Sequence, residues 1–239
     1  MAKTKNPSTL LLSPQVRLSY PKLIKAEPFK DPETGIEKGD PVFGTEMLCP
    51  ADDLGKFRTW NDDKAEWVYD NLNTFCAKLA KKRFGDDFDV NGALQHDAIK
   101  WPVTNGNKKA EKGEKYSHYA DTFIVRGKAL SEINGRPNAP TLYYTENGER
   151  KAIARGTEQG NQLAADLFYG GAWVVAELSA VAGDAGGNKY VTLYMNCVIF
   201  IKHDDKFGGG NSLMDRFEGV KGGVSDYDPT EGMDEEIAI

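Results

Sequence analysis

The residues of this chain best suited to chemistry are few and scattered. His96, His118 and His203 stand apart from one another, and no HExxH, HxH or Cys/His spacing suits zinc. Gly208-Gly209-Gly210 follows a strand-like segment, but no Lys-Ser or Lys-Thr comes after it and no helix opens from it, so it does not read as a phosphate cradle. Asp86-Asp87 and Asp204-Asp205 could hold Mg²⁺ in a nuclease, yet adjacent loop acids are ordinarily only solvated. Cys49, Cys76 and Cys197 are odd in number, widely separated and set among apolar neighbours, which reads as reduced, buried thiols in a cytosolic protein. The expectation is a protein with no catalytic residues, metal or cofactor.

What the chain does repeat is a pairing of cations with aromatic rings. Binding of an unpaired nucleic-acid strand needs both, the cations to track phosphates and exposed ring faces on which bases stack. Lys100-Trp101, Lys115-Tyr116-Ser117-His118-Tyr119, the stretch Phe123 to Arg126 and Lys128, and Tyr190 with Tyr194 interleave the two types. Lys108, Lys109 and Lys112 add charge in a polar segment, Asn105 to Gly113, that has no apolar position to anchor it and reads as a mobile basic loop. Trp67, Phe75 and Trp173 are expected in the core.

These side chains need a scaffold, and the hydrophobic patterning describes a mainly β one. Val16, Leu18 and Tyr20 alternate up to Pro21, which marks an edge or bulged strand, and Pro41 to Cys49 is a second strand ended by Pro50. From Asn61 the spacing of Ala65, Val68, Leu72, Phe75, Cys76 and Leu79 predicts one clear helix over about 61–84, capped by Asn61 and closed by Gly85. Strands resume at Tyr119. Asn147-Gly148 suits a type I′ hairpin turn, and a short helix is expected around Thr157 to Leu167. A long hairpin joins Trp173–Ala182 to Tyr190–Ile201, with Val191, Leu193, Met195, Cys197, Ile199 and Ile201 on its core face. Such strands imply a curved sheet or small barrel carrying at least one helix.

The formal net charge of -6 comes from 30 Lys and Arg against 36 Asp and Glu. Residues 211–239 contain eight of those acids and two bases, so the net -6 lies there and residues 1–210 balance at 28 of each sign. This divides the chain into a folded body, 1–210, and a flexible acidic tail, 211–239. The end of the tail, Asp234, Glu235, Glu236, Ile237, Ala238 and Ile239, is an acidic run beside aliphatic residues, the kind of peptide that a basic pocket with an apolar floor can grip. No run of 18 to 20 apolar residues is present to span a bilayer.

Trp173-Val174-Val175-Ala176 through Gly186-Gly187-Asn188-Lys189, then Asn196-Cys197-Val198-Ile199-Phe200, then Lys206-Phe207-Gly208-Gly209-Gly210 and an acidic tail, resemble phage-encoded single-stranded DNA-binding proteins. The resemblance implies an OB-fold elaborated with a helix, binding of single-stranded DNA without sequence preference during phage replication or recombination in the cytoplasm of a bacterial host, and partner contacts through the tail. The tip is similar to the acidic-hydrophobic ends of bacterial single-stranded DNA-binding proteins but lacks their final Pro-Phe.

The combined expectation is an OB-like barrel whose concave face binds a single strand through Lys100, Trp101, Tyr116, Tyr119, Arg126, Lys128 and Tyr194, aided by Lys108, Lys109, Lys112 and Lys115. The tail, through Asp234, Glu235, Glu236, Ile237 and Ile239, is expected to recruit replication proteins such as a polymerase, helicase or primase and to compete with DNA. The alternatives are a virion or accessory β-rich protein-interaction module and a metal-dependent nuclease.

Overall fold

The computed structural model describes residues 9–30 and 34–207. The expected tail, its tip and the boundary near residue 210 lie outside the described residues. In chain order the strands are β1 (Leu10–Leu12), β2 (Val16–Lys30), β3 (Glu37–Pro50), β4 (Phe57–Asn61), β5 (Glu66–Asp70), β6 (Ile99–Lys100) and β7 (Val103–Asn105). They continue with β8 (Thr122–Leu130), β9 (Glu132–Ile133), β10 (Arg136–Pro137), β11 (Thr141–Glu146), β12 (Glu149–Ala152), β13 (Trp173–Ala185) and β14 (Asn188–Lys202). The helices are α1 (Leu72–Phe84), α2 (Val90–Gln95), α3 (Asn107–Ala110) and α4 (Glu158–Leu167).

Five strands close on themselves in the order β2-β3-β8-β14-β13 and back to β2. All their pairings are antiparallel except β8 with β14, which run parallel at Leu193 beside Gly127 and Tyr194 beside Lys128. A closed five-stranded Greek-key barrel of this kind is the OB architecture, so the mainly β, OB-like expectation holds. Leu18, Met47, Val125, Leu178 and Leu193 fill its interior and are almost fully buried. α4, capped by the Thr157 side chain, lies between β8 and β13 in sequence and sets Ala164 into the same core, followed by Phe168.

The expected strand interruptions occur where the sequence places them. The β2–β3 register slips between Ser19 and Lys22, around Pro21. Asn147 and Gly148 turn the β11–β12 hairpin with φ of 53° and 82°, as a type I′ turn requires. Gly186 and Gly187 turn the β13–β14 hairpin with positive φ as well.

Two expectations are corrected. The helix begins at Leu72, not at Asn61: residues 57–70 form the β4–β5 hairpin, and the Asn61 side chain caps its turn by accepting from Asp63 N and Lys64 N. Asn71 is the true N-cap, accepting from Asn73 N and Thr74 N, and Gly85 N closes the other end on Lys81 O. Likewise, the β14 core face does not run unbroken from Val191 to Ile201. Glu177 pairs with Cys197 but Leu178 pairs with Met195, leaving Asn196 as a bulge. Past it Val198 is buried, and Ile199 and Ile201 turn outward. A bulge inverts the alternation for the rest of a strand.

Candidate nucleic-acid interface

Within the insertion between β3 and β8, residues 51–121, the segment from Lys100 to Lys109 lines one side of a groove on the barrel. β6 pairs with β14, and β7 pairs with β8, so Lys100 and Trp101 are brought beside the barrel wall. The Trp101 ring is half-buried and its Nε1 donates to Asn73 Oδ1 on α1 at 2.9 Å, which fixes its orientation. After β7 the chain turns at Gly106, where any Cβ would collide with the Tyr119 carbonyl and Thr122. That tight turn starts α3 and returns Lys109 toward the barrel.

The groove has a volume of about 470 Å³ and lies over β2, β3, β8 and the first half of β14. Tyr20, Lys22, Glu46, Lys100, Trp101, Lys109, Arg126 and Lys128 line it, with Gly44 leaving its floor low. A hollow of about 330 Å³ continues it toward the β13–β14 turn, sharing Lys100, Lys128 and Thr192 and adding Tyr190 and Tyr194. Lys128 Nζ lies 5.7 Å from the Tyr194 ring centroid and Lys109 Nζ 5.2 Å from that of Tyr20. Cations and ring faces therefore alternate along one depression.

One carboxylate sits among these cations. Glu46 accepts from Lys109 Nζ at 2.7 Å and from the Tyr119 hydroxyl at 2.5 Å, and pairs with Arg126 Nε at 3.5 Å. Burial pushes its carboxyl up, but the hydrogen bonds from Lys109 and Tyr119 and the charges of Lys109 and Arg126 outweigh it and hold it below the ordinary carboxylate range. The Tyr119 hydroxyl also bonds Ser19 Oγ at 2.8 Å, and burial raises its pKa far above the usual phenol value. Beside it His118 stacks on Phe207 with 4.2 Å between centroids, and burial, then the charges of Lys109 and Arg17, lower its pKa.

Of the residues named from sequence, Lys100, Trp101, Lys109, Arg126, Lys128 and Tyr194 come together in this depression. Lys108, Lys112 and Lys115 are exposed on the insertion and do not line it. Tyr116 is half-buried against a small cluster of Leu48, Tyr119 and Ile124, and Tyr119 itself is fully buried, so it offers no ring face and serves as a strut for Glu46 and Lys109. The expected loose basic loop is instead anchored through Lys109. Trp67 and Trp173 are half-exposed rather than core residues: Trp67 packs edge-on against Trp60, and Trp173 lies near Arg17 and Lys202.

Sequence reasoning missed Tyr20, Lys22 and Glu46. Tyr20 is 58% exposed, with a φ of 47°, a left-handed backbone that a bulky L-residue rarely adopts. Pro21 was the available signal: it implies a bulge, and a bulge re-aims the neighbouring side chain. Among the described residues no group of three or more His, Cys, Asp or Glu could hold a metal ion, and no helix is long and apolar enough to cross a membrane.

A family model described as Enterobacter phage Enc34, ssDNA-binding protein, matches residues 9–228. Among solved structures, the single-stranded DNA-binding protein from bacteriophage Enc34 in complex with ssDNA is similar with a TM-score of 0.56 at 18% identity, over 87% of this chain and 97% of that one. A second structure of the bacteriophage Enc34 protein gives 0.56 at 17% identity, over 89% and 93%. Its C-terminal truncation gives 0.55 at 17%, over 87% and 96%. No curated protein matches the chain.

Proposed function

Because this chain belongs to the family of the Enterobacter phage Enc34 single-stranded DNA-binding protein, we propose that it binds single-stranded DNA without sequence preference along the cation–aromatic groove. The observation that carries the reading is the alternation in one depression of Tyr20, Trp101, Tyr190 and Tyr194 with Lys100, Lys109, Arg126 and Lys128. Bases stack on the rings at about 1–3 kcal/mol each, and the cations neutralise phosphates. Neither contact reads base identity. Holding bases apart and phosphates neutralised protects template strands and removes hairpins during phage replication and recombination.

The tail fits the same account as a competitor. Its net charge of -6, tethered to the body, reaches an effective concentration in the mM range and is displaced when DNA enters. Released, residues 234–239 are free to recruit replication proteins such as a polymerase, helicase or primase.

Titration of oligo-dT against the full chain and against the chain truncated after residue 210, over a series of salt concentrations, tests both statements. Clear binding that weakens as salt rises is expected, with tighter binding by the truncated chain at low salt. Absence of oligo-dT binding overturns the DNA reading, and unchanged affinity on truncation removes the competition.

A further inference from the structure

The outer surface of the β13–β14 ribbon continues past the hollow that holds Tyr194. Its cross-strand pairs run Val181–Thr192, Ser179–Tyr194, Glu177–Cys197 and Val175–Ile199, all exposed or half-buried. Ala180, Leu178, Leu193 and Val198, between them, are buried in the core. The Asn196 bulge shifts the outward row of β14 from Tyr194 to Cys197. These two residues are three positions apart, about 10 Å along an extended strand. Cys197 lines a second depression, of about 580 Å³, which shares no lining residue with the cation–aromatic groove or its hollow.

A small polar ridge separates the two. Asn196 Nδ2 donates to Glu177 Oε1 at 3.2 Å and to Ser179 Oγ at 2.9 Å, so the carboxylate on the ridge is already bonded. Val175 and Ile199 floor the second depression, with Arg58 and Trp67 on its β4–β5 side and Arg150 and Tyr143 on its β11–β12 side. Both rings are half-exposed. Neither guanidinium forms an ion pair among the described residues. The pairing of cations with ring faces is thus repeated further along the same surface, with arginines in place of lysines. A planar guanidinium grips a phosphate through two parallel bonds, and a ring face takes a base.

We propose that this depression is a further single-stranded DNA subsite, entered by a strand that lies in the cation–aromatic groove, passes Tyr194 and crosses the Asn196 ridge along β14. Arg58 and Arg150 hold phosphates there, Trp67 and Tyr143 take bases, and the strand shields Val175 and Ile199 from water. The subsite rests on the DNA reading of the groove and adds to it a dependence on strand length. Since OB folds take about 4–16 nucleotides, a strand of about six fills the groove alone and one of about 16 reaches both.

Cys197 is half-buried, whereas Cys49 and Cys76 are fully buried, so thiol alkylation followed by mass spectrometry reads occupancy in the unaltered chain. Saturating oligo-dT of about 16 nucleotides is expected to slow Cys197 alkylation about tenfold, and oligo-dT of about six to leave it unchanged. Two more neutralised phosphates should steepen the slope of log Kobs against log salt by about 1.4 for the longer strand relative to the shorter. Arg58→Ala with Arg150→Ala is expected to remove that increment, to weaken only the longer strand and to restore Cys197 alkylation, with thermal melting to check the fold. Saturation by the longer strand without protection of Cys197 overturns the proposal, as does equal protection by both lengths, which would mark a separate site for a short strand. Alkylation that slows without DNA as protein concentration rises shows a second copy covering this face and overturns it too. Failure of both strands to bind overturns instead the DNA reading on which the subsite rests.

Discussion

Replacing Lys100 and Lys128 with alanine is the sharpest probe of where the strand lies. Both are exposed and both line the groove and its continuation, so their loss should leave the barrel intact. The groove presents five cations, Lys22, Lys100, Lys109, Arg126 and Lys128, of which Lys22 is paired with Glu27 at 2.9 Å and one more is offset by Glu46, leaving an excess of three positive charges. With a slope near -0.7 per neutralised phosphate, log Kobs should fall with log salt at about -2.1, or about 18-fold in affinity between 50 and 200 mM. The double variant retains an excess of one, so its slope should be about -0.7 and the same interval should cost only about threefold. Glu46→Gln shifts the balance the other way: it frees Lys109 and Arg126 from their carboxylate and should steepen the slope to about -2.8. Fluorescence anisotropy of labelled oligo-dT at five or six salt concentrations gives all three slopes. If the Lys100/Lys128 variant keeps the parent slope, the strand does not follow this groove and the assignment fails.

Tyr20→Ala should weaken oligo-dT binding by about 1–3 kcal/mol, the worth of one base stack, with little change in melting temperature because the ring is 58% exposed; a large fall in stability with unchanged binding would make it a structural residue. Tyr119→Phe removes the hydroxyl shared by Ser19, Glu46 and Lys109 and should cost about 1–3 kcal/mol of stability in chemical denaturation. Because the folded-state pKa of His118 is depressed by burial, the unfolded chain binds that proton more readily. Stability should therefore fall as pH drops through the ordinary histidine range, near 6.5, and His118→Phe should flatten this part of the melting-temperature profile.

Local chemistry was legible in the sequence wherever local geometry decided the outcome. Pro21, Pro50, Asn147-Gly148 and Gly186-Gly187 punctuate the strands as read, because each acts on its own backbone. The start of α1 was misread because Ala65, Val68 and Leu72 keep helical spacing while Asn61 and Asn71 are both competent caps. The φ of 51° at Ala65, within the β4–β5 turn, is set by the hairpin and leaves no compositional mark. Tyr119 was expected to stack on bases and Lys109 to sit on a loose loop for a related reason: their partner Glu46 lies far away in sequence, and only the folded insertion brings them together. Alternation along β14 predicted Tyr194 on the outer face correctly but could not foresee the Asn196 bulge, which depends on register with β13.

Barrel closure has a kinetic consequence. The β2–β13 seam joins Val16 to Val174 and Arg17 to Trp173, partners separated by most of the described chain. Translation at about 5–20 residues per second leaves β2 waiting roughly ten to thirty seconds for β13 to emerge. During that interval its future seam is an open edge, able to pair with the wrong chain. Folding dominated by such distant pairings is also slow in its own right. Yield of soluble protein should therefore depend on how fast and how concentrated synthesis is, even where the finished barrel is stable.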